Sequence, residues 1–113
     1  MFDKVKKIKQ KKNKSKIVCL TAYSKNIAEE VDKFTDLILV GDSLGSVLYN
    51  YKSTRQVTLE KMIEHSKSVR LGISKSLMIV DMPYNTYRNK NGYQKRINAC
   101  PRGNERIKRN YLK

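Results

Sequence analysis

The sequence predicts a parallel α/β fold, and three observations point to it. Three short apolar runs, near residues 17–22, 37–41 and 77–81, have the length and β-branched character of strands buried on both faces. Two longer stretches with apolar residues at helical spacing alternate with them. The second and third runs close on acids, Asp42 and Asp81, where a parallel sheet gathers its reactive groups.

Taken in order, Phe2, Val5 and Ile8 recur at three-residue spacing among lysines, which predicts a short amphipathic helix over about 2–10 before a polar linker. Its lysines form either a solvated face or a phosphate-binding one. The run 17–22 is the first strand. Ser24 then stands at an N-cap position before Ile27, Ala28, Val31 and Phe34, with Glu29 and Glu30 in the early turns, and this helix is expected to end near Phe34. The second strand stops at Gly41-Asp42-Ser43, and a loop is expected over 44–57. Thr58 caps a second long helix whose apolar side is Leu59, Met62, Ile63 and Val69, with Gly72 as a natural stop. The third strand ends at Asp81-Met82-Pro83. From about Tyr84 the pattern fails: Ile97, Ala99, Ile107 and Leu112 make neither a strand run nor a helical stripe, so no buried element is predicted there.

The 113 residues carry a formal charge of +15, which by itself suggests nucleic acid or an anionic surface as partner. Its distribution says otherwise. Residues 1–16 hold eight lysines against Asp3, and residues 91–113 hold seven basic residues against Glu105, whereas 17–90 is nearly balanced, with ten basic and eight acidic residues. The chain therefore divides into a basic helix and linker (1–16), an α/β body (17–90) and a basic tail (91–113). Cys19 and Cys100 lie far apart and one histidine cannot complete a structural zinc site, so a reduced, cytoplasmic protein is expected. There is no apolar run of the length that a secretory signal or a membrane span requires, and no membrane partner is expected.

Strands in a sheet lie about 4.8 Å apart, so neighbouring strands ending in Asp42 and Asp81 bring two carboxylates within reach of one cation. Oxygen ligands of this kind suit magnesium. An Asp after a strand can equally be a turn residue or a helix cap. Gly41 and Gly45 fit tight turns around this loop. His65, the only histidine, falls inside the second long helix and is expected to be a surface or packing residue away from the strand ends. Tyr84 and Tyr87 could wall a substrate mouth or stack on bases.

The segments Lys16 to Tyr23, Leu39-Val40-Gly41-Asp42-Ser43-Leu44-Gly45, Val57-Thr58-Leu59-Glu60-Lys61-Met62 with Thr54 and His65, and Val80-Asp81-Met82-Pro83-Tyr84 resemble, in order, the ketopantoate hydroxymethyltransferase family. The resemblance covers about residues 3–88. It implies the N-terminal portion of a (β/α)8 barrel, about three strands of it, in a family that forms homo-oligomers. It also implies transfer of a hydroxymethyl group from 5,10-methylenetetrahydrofolate, as co-substrate, to 3-methyl-2-oxobutanoate, giving 2-dehydropantoate on the way to pantothenate. Asp42 and Asp81 resemble two of the family's Mg2+ ligands and also approach the keto acid, while Ser43 resembles a residue that holds the substrate carboxylate through its hydroxyl and N–H.

Two departures are mild: Ser24 replaces a usual Asp, and Asn50 a usual Gly. The family's Lys-x-Glu-Gly-Gly segment, a later histidine and its proton-accepting glutamate have no counterpart in the chain, and Glu105 follows no apolar strand. No catalytic residue is therefore expected in these 113 residues, which should not turn over alone. The abrupt loss of pattern after about Arg88 predicts a shifted reading frame, testable by reading the encoding DNA in its other two frames. Competing expectations are a small basic nucleic-acid-binding protein, disfavoured by the near-neutral body, and a flavodoxin-like phosphate binder, disfavoured by too few loop glycines.

Overall fold

In the computed structural model, which describes residues 2–86, the apolar run 37–40 becomes the middle strand of a three-stranded parallel sheet. Its neighbours are β1 (Cys19–Thr21) and β3 (Leu77–Val80), with the run itself as β2 (Leu37–Val40). The register pairs Leu20 with Ile38, Ile38 with Met78 and Val40 with Val80, so the last residues of β2 and β3 lie side by side. The helices are α1 (Phe2–Gln10), α2 (Lys25–Asp32), α3 (Leu44–Tyr49) and α4 (Leu59–Gly72), with a 3-10 turn at Thr54–Gln56. Tyr87, Cys100 and the tail 91–113 lie outside the described residues.

Ile38 and Val40 on β2 are fully buried and meet Leu44, Met62, Val69, Met78 and Val80 in one core. Each such side chain contributes about 1.5–3 kcal/mol relative to exposure. β1 differs from expectation. Cys19, Leu20 and Thr21 are all exposed, Leu20 at 47%, although the run 17–22 has the composition of a strand covered on both sides. It is an edge strand among the described residues, and only Ala22, just beyond it, is buried in the core.

α2 packs on α4, but not through the stripe read from spacing. Ala28 is buried, Val31 is half-buried, and Ile27 and Phe34 are exposed, Phe34 at 75%. The reason is the close approach of the two helices at Gly72. A Cβ there would fall 2.8 Å from that of Ala28, so Gly72 is the last residue of α4 and a packing contact rather than only a stop. At the same contact Ser24 occupies the N-cap of α2 without a side-chain bond, and the Lys25 N–H donates instead to Ser68 Oγ of α4 at 2.9 Å. Thr58 does cap α4, accepting from the Lys61 N–H at 3.3 Å. The expected loop 44–57 contains α3 and the 3-10 turn. α3 is capped by Asn50 in the left-handed region at φ 54°, and Asn is the side chain that tolerates this conformation best after Gly.

A polar lock closes the amino-terminal end of the sheet. The buried Asp32 carboxylate accepts the Ser74 N–H (3.1 Å) and hydroxyl (2.9 Å), the Lys75 N–H (3.0 Å) and the Ser76 N–H (2.7 Å). Burial would raise its pKa, but these backbone N–H donors outweigh that and hold it well below the usual carboxylate range. Thr35 and Ser76 hydroxyls complete the lock at 2.8 Å. α1 is tied to the same end through Lys4 Nζ to the Ser76 carbonyl (3.0 Å), and Lys11, just after the helix, pairs with Asp36 (2.7 Å).

Candidate active site

At the carboxyl end of the sheet the backbone pairs one residue beyond the strands, with the Asp81 N–H donating to the Val40 carbonyl at 3.0 Å. This brings the second and third strand exits together. The Asp42 N–H donates to Asp81 Oδ2 at 3.1 Å, so one carboxylate oxygen of Asp81 is fixed by the backbone that carries Asp42. Burial first, and then the neighbouring Asp81 charge, push the Asp42 carboxyl above its usual value. Two acids thus crowd one half-buried spot.

Gly41 makes the crowding possible. A Cβ at that position would lie 3.1 Å from Ser43 Oγ and 3.4 Å from Asp81 Oδ2, a space that both side chains use. Gly45 is likewise a matter of room rather than of turn geometry. It lies inside α3, and a Cβ would come 2.5 Å from Val57 Cγ2 and 3.1 Å from the Tyr51 ring. Neither glycine adopts the left-handed backbone region.

Ser43 sits between Asp42 and α3 with its side chain free of capping. Its hydroxyl is held by Tyr23 at 2.8 Å, oxygen to oxygen. The Ser43 N–H makes no hydrogen bond among the described residues, so it remains a donor beside the carboxylates, next to the hydroxyl that Tyr23 engages. Tyr23 lies directly after the first strand exit and was legible only as part of a motif, not as a contact.

His65 is not remote from the strand ends. Its Nδ1 lies 2.7 Å from the Tyr23 carbonyl and its Nε2 lies 2.8 Å from the Tyr49 hydroxyl, so the ring links α4 to the β1 exit and to α3. With a carbonyl at Nδ1, that nitrogen carries the proton and Nε2 accepts from Tyr49. His65 therefore positions the backbone of Tyr23. Tyr49 stacks on Tyr51 at 5.6 Å, and Lys61 Nζ lies 4.1 Å from the Tyr49 ring centre. Tyr84 lies after Pro83 with the Arg55 guanidinium 4.6 Å from its ring centre.

Among the described residues no group of three or more His, Cys, Asp or Glu side chains could hold a metal ion. Asp42 and Asp81 form a pair. No helix of the described residues is long and apolar enough to cross a membrane.

A family model described as ketopantoate hydroxymethyltransferase matches residues 3–102, reaching beyond Arg88 into the segment where the sequence pattern gives out. The 3-methyl-2-oxobutanoate hydroxymethyltransferase of Pelagibacter ubique (strain HTCC1062) is 66% identical over 89 residues, covering 79% of this chain and 35% of that protein. Proteins of that name from Chelativorans sp. (strain BNC1) and, numbered 1, from Hahella chejuensis (strain KCTC 2396) are 50% and 47% identical over 80 and 83 residues. These matches cover 71% and 74% of this chain, and 28% and 30% of those relatives. The chain spans about a third of the length of the curated relatives it matches.

Proposed function

Because the chain belongs to the ketopantoate hydroxymethyltransferase family, we propose that it carries the first part of a magnesium and keto-acid site on the opening strands of a (β/α)8 barrel. The reaction served is transfer of a hydroxymethyl group from 5,10-methylenetetrahydrofolate to 3-methyl-2-oxobutanoate, giving 2-dehydropantoate for pantothenate synthesis. The observation that carries this is the convergence of Asp42, Ser43 and Asp81 at the exits of two adjacent parallel strands.

The donor set fits a magnesium ion in part. Two carboxylates at adjacent strand exits, linked by the Asp42 N–H to Asp81 Oδ2, with Asp42 pushed toward protonation by burial and then by the Asp81 charge, gain from a hard cation between them. Asp42 and Asp81 would hold it. When bound, magnesium would polarise the 2-oxo group of the substrate and so acidify the adjacent C–H.

The remaining work falls to the protein. The Ser43 hydroxyl, oriented by Tyr23, and the Ser43 N–H donate to the substrate carboxylate. His65 keeps Tyr23 in place from behind. A base for the C–H proton is lacking in the described body, where Asp42 and Asp81 are the only acids among these strand exits. The described residues therefore supply binding groups and no base of their own.

Titration calorimetry with magnesium, with and without 3-methyl-2-oxobutanoate, tests this. Weak magnesium binding that tightens with the keto acid and vanishes in Asp81→Asn is the expected result, together with no product in a turnover assay. Magnesium binding unchanged in both Asp42→Asn and Asp81→Asn would overturn the proposed site.

A further inference from the structure

At the opposite end of the sheet, α1, the linker after it and the segments leading into β2 and β3 enclose a cavity of about 420 Å3. Among the described residues five lysines line it, Lys4, Lys7, Lys11, Lys14 and Lys75, with Asp36 as the single acid. Asp36 is already engaged by Lys11 at 2.7 Å and by the Val18 N–H at 2.9 Å. Lys4 and Lys75 each donate to one carbonyl, Ser76 at 3.0 Å and Lys33 at 3.2 Å, which anchors the ammonium groups while leaving them further N–H donors. The Lys7 and Lys14 ammonium groups have no hydrogen-bond or ion-pair partner among the described residues.

We infer that this cavity is a binding site for a small polyphosphate anion, distinct from the carboxylate site and read through its phosphate groups alone. Its volume falls in the range of about 300–1,000 Å3 typical of small-molecule sites, room for several linked phosphates rather than one. Among the described residues its lining contains no aromatic side chain on which a base could stack, and its lysines converge on one hollow instead of tracking along a surface, which favours a compact anion over a nucleic-acid strand. Converging like charges at a partly enclosed surface concentrate the field and favour a multivalent counter-ion over a monovalent one.

The test is calorimetric titration of the 113-residue chain with sodium tripolyphosphate at low salt in magnesium-free buffer, so that the outcome does not depend on Asp42 and Asp81. Saturable one-to-one binding is expected. The pair Lys7→Gln and Lys14→Gln should weaken it by about tenfold, while Lys6→Gln with Lys12→Gln, which removes the same charge from residues outside the cavity, should change it by less than about twofold. A nucleoside triphosphate should bind as tightly as tripolyphosphate. Equal weakening by both lysine pairs, dependence on the base, preference for an RNA oligonucleotide, or absence of binding would each overturn the assignment.

Discussion

Asp32 and Asp42 are carboxylates in opposite electrostatic situations. Asp32 is buried but met by three backbone N–H groups and a hydroxyl, so its charged form is favoured by folding. Asp42 is half-buried beside Asp81, so its charged form is disfavoured. Asp32→Asn should lower stability by about 2–3 kcal/mol in urea denaturation, because an amide cannot accept all these donors. Since the folded pKa of Asp32 lies below its ordinary value of 3.8, its stabilisation is complete above that pH and is lost as pH falls through the folded value. Asp36, held down by Lys11 and the Val18 N–H, adds a smaller effect of the same sign. The urea midpoint should thus fall steeply between pH 4 and pH 2, and less steeply in Asp32→Asn. Asp42→Asn should do the reverse at neutral pH. It should raise the stability of the metal-free chain by less than about 1 kcal/mol and abolish any magnesium-induced rise in the urea midpoint.

At the scale of elements, Asn50 offers a direct check. It ends α3 at φ 54°, so Asn50→Gly should keep or raise the melting temperature, whereas Asn50→Val should cost about 1–2 kcal/mol. The three strands were legible because a continuous apolar run has few other uses in a short segment. α3 was not, since six residues beginning Leu44-Gly45 are too short to display a helical period, and the helix depends on Gly45 fitting against Val57 and Tyr51. Asp42 and Asp81 were readable as strand-end acids. The support beneath them was hidden: the tie from His65 to Tyr23 spans 42 positions and ends on a backbone carbonyl, which no side-chain pattern announces. Asp32 was hidden for the same reason, as its partners are mostly main-chain N–H groups.

For the whole molecule, the feature that matters is the exposed strand β1. Ile17, Val18 and Leu20 are 43%, 44% and 47% exposed along one sheet edge, with the backbone on that side unpaired by another strand among the described residues. Such an edge is a template for pairing between chains. The 113 residues should self-associate, with Leu20→Lys shifting the sedimentation profile toward monomer. A monomeric preparation of the unsubstituted chain with a cooperative thermal transition would contradict this. Composition could show that the run 17–22 is fit for burial, but not what covers it.

The β2 and β3 strands, four residues each, set the Asp32 lock and the Asp42–Asp81 pair at opposite ends of the sheet, about 16 Å apart along the strand direction from Ser76 to Asp81. At that separation, with no shared hydrogen-bond partner among the described residues, substitutions at the two ends should be additive in free energy to within about 0.5 kcal/mol. A double-mutant cycle of Asp32→Asn with Asp42→Asn measures it. If the two do not couple, the carboxylate site can be altered without weakening the lock, and a stabilised amino-terminal end can carry substitutions at the other that would otherwise unfold the chain.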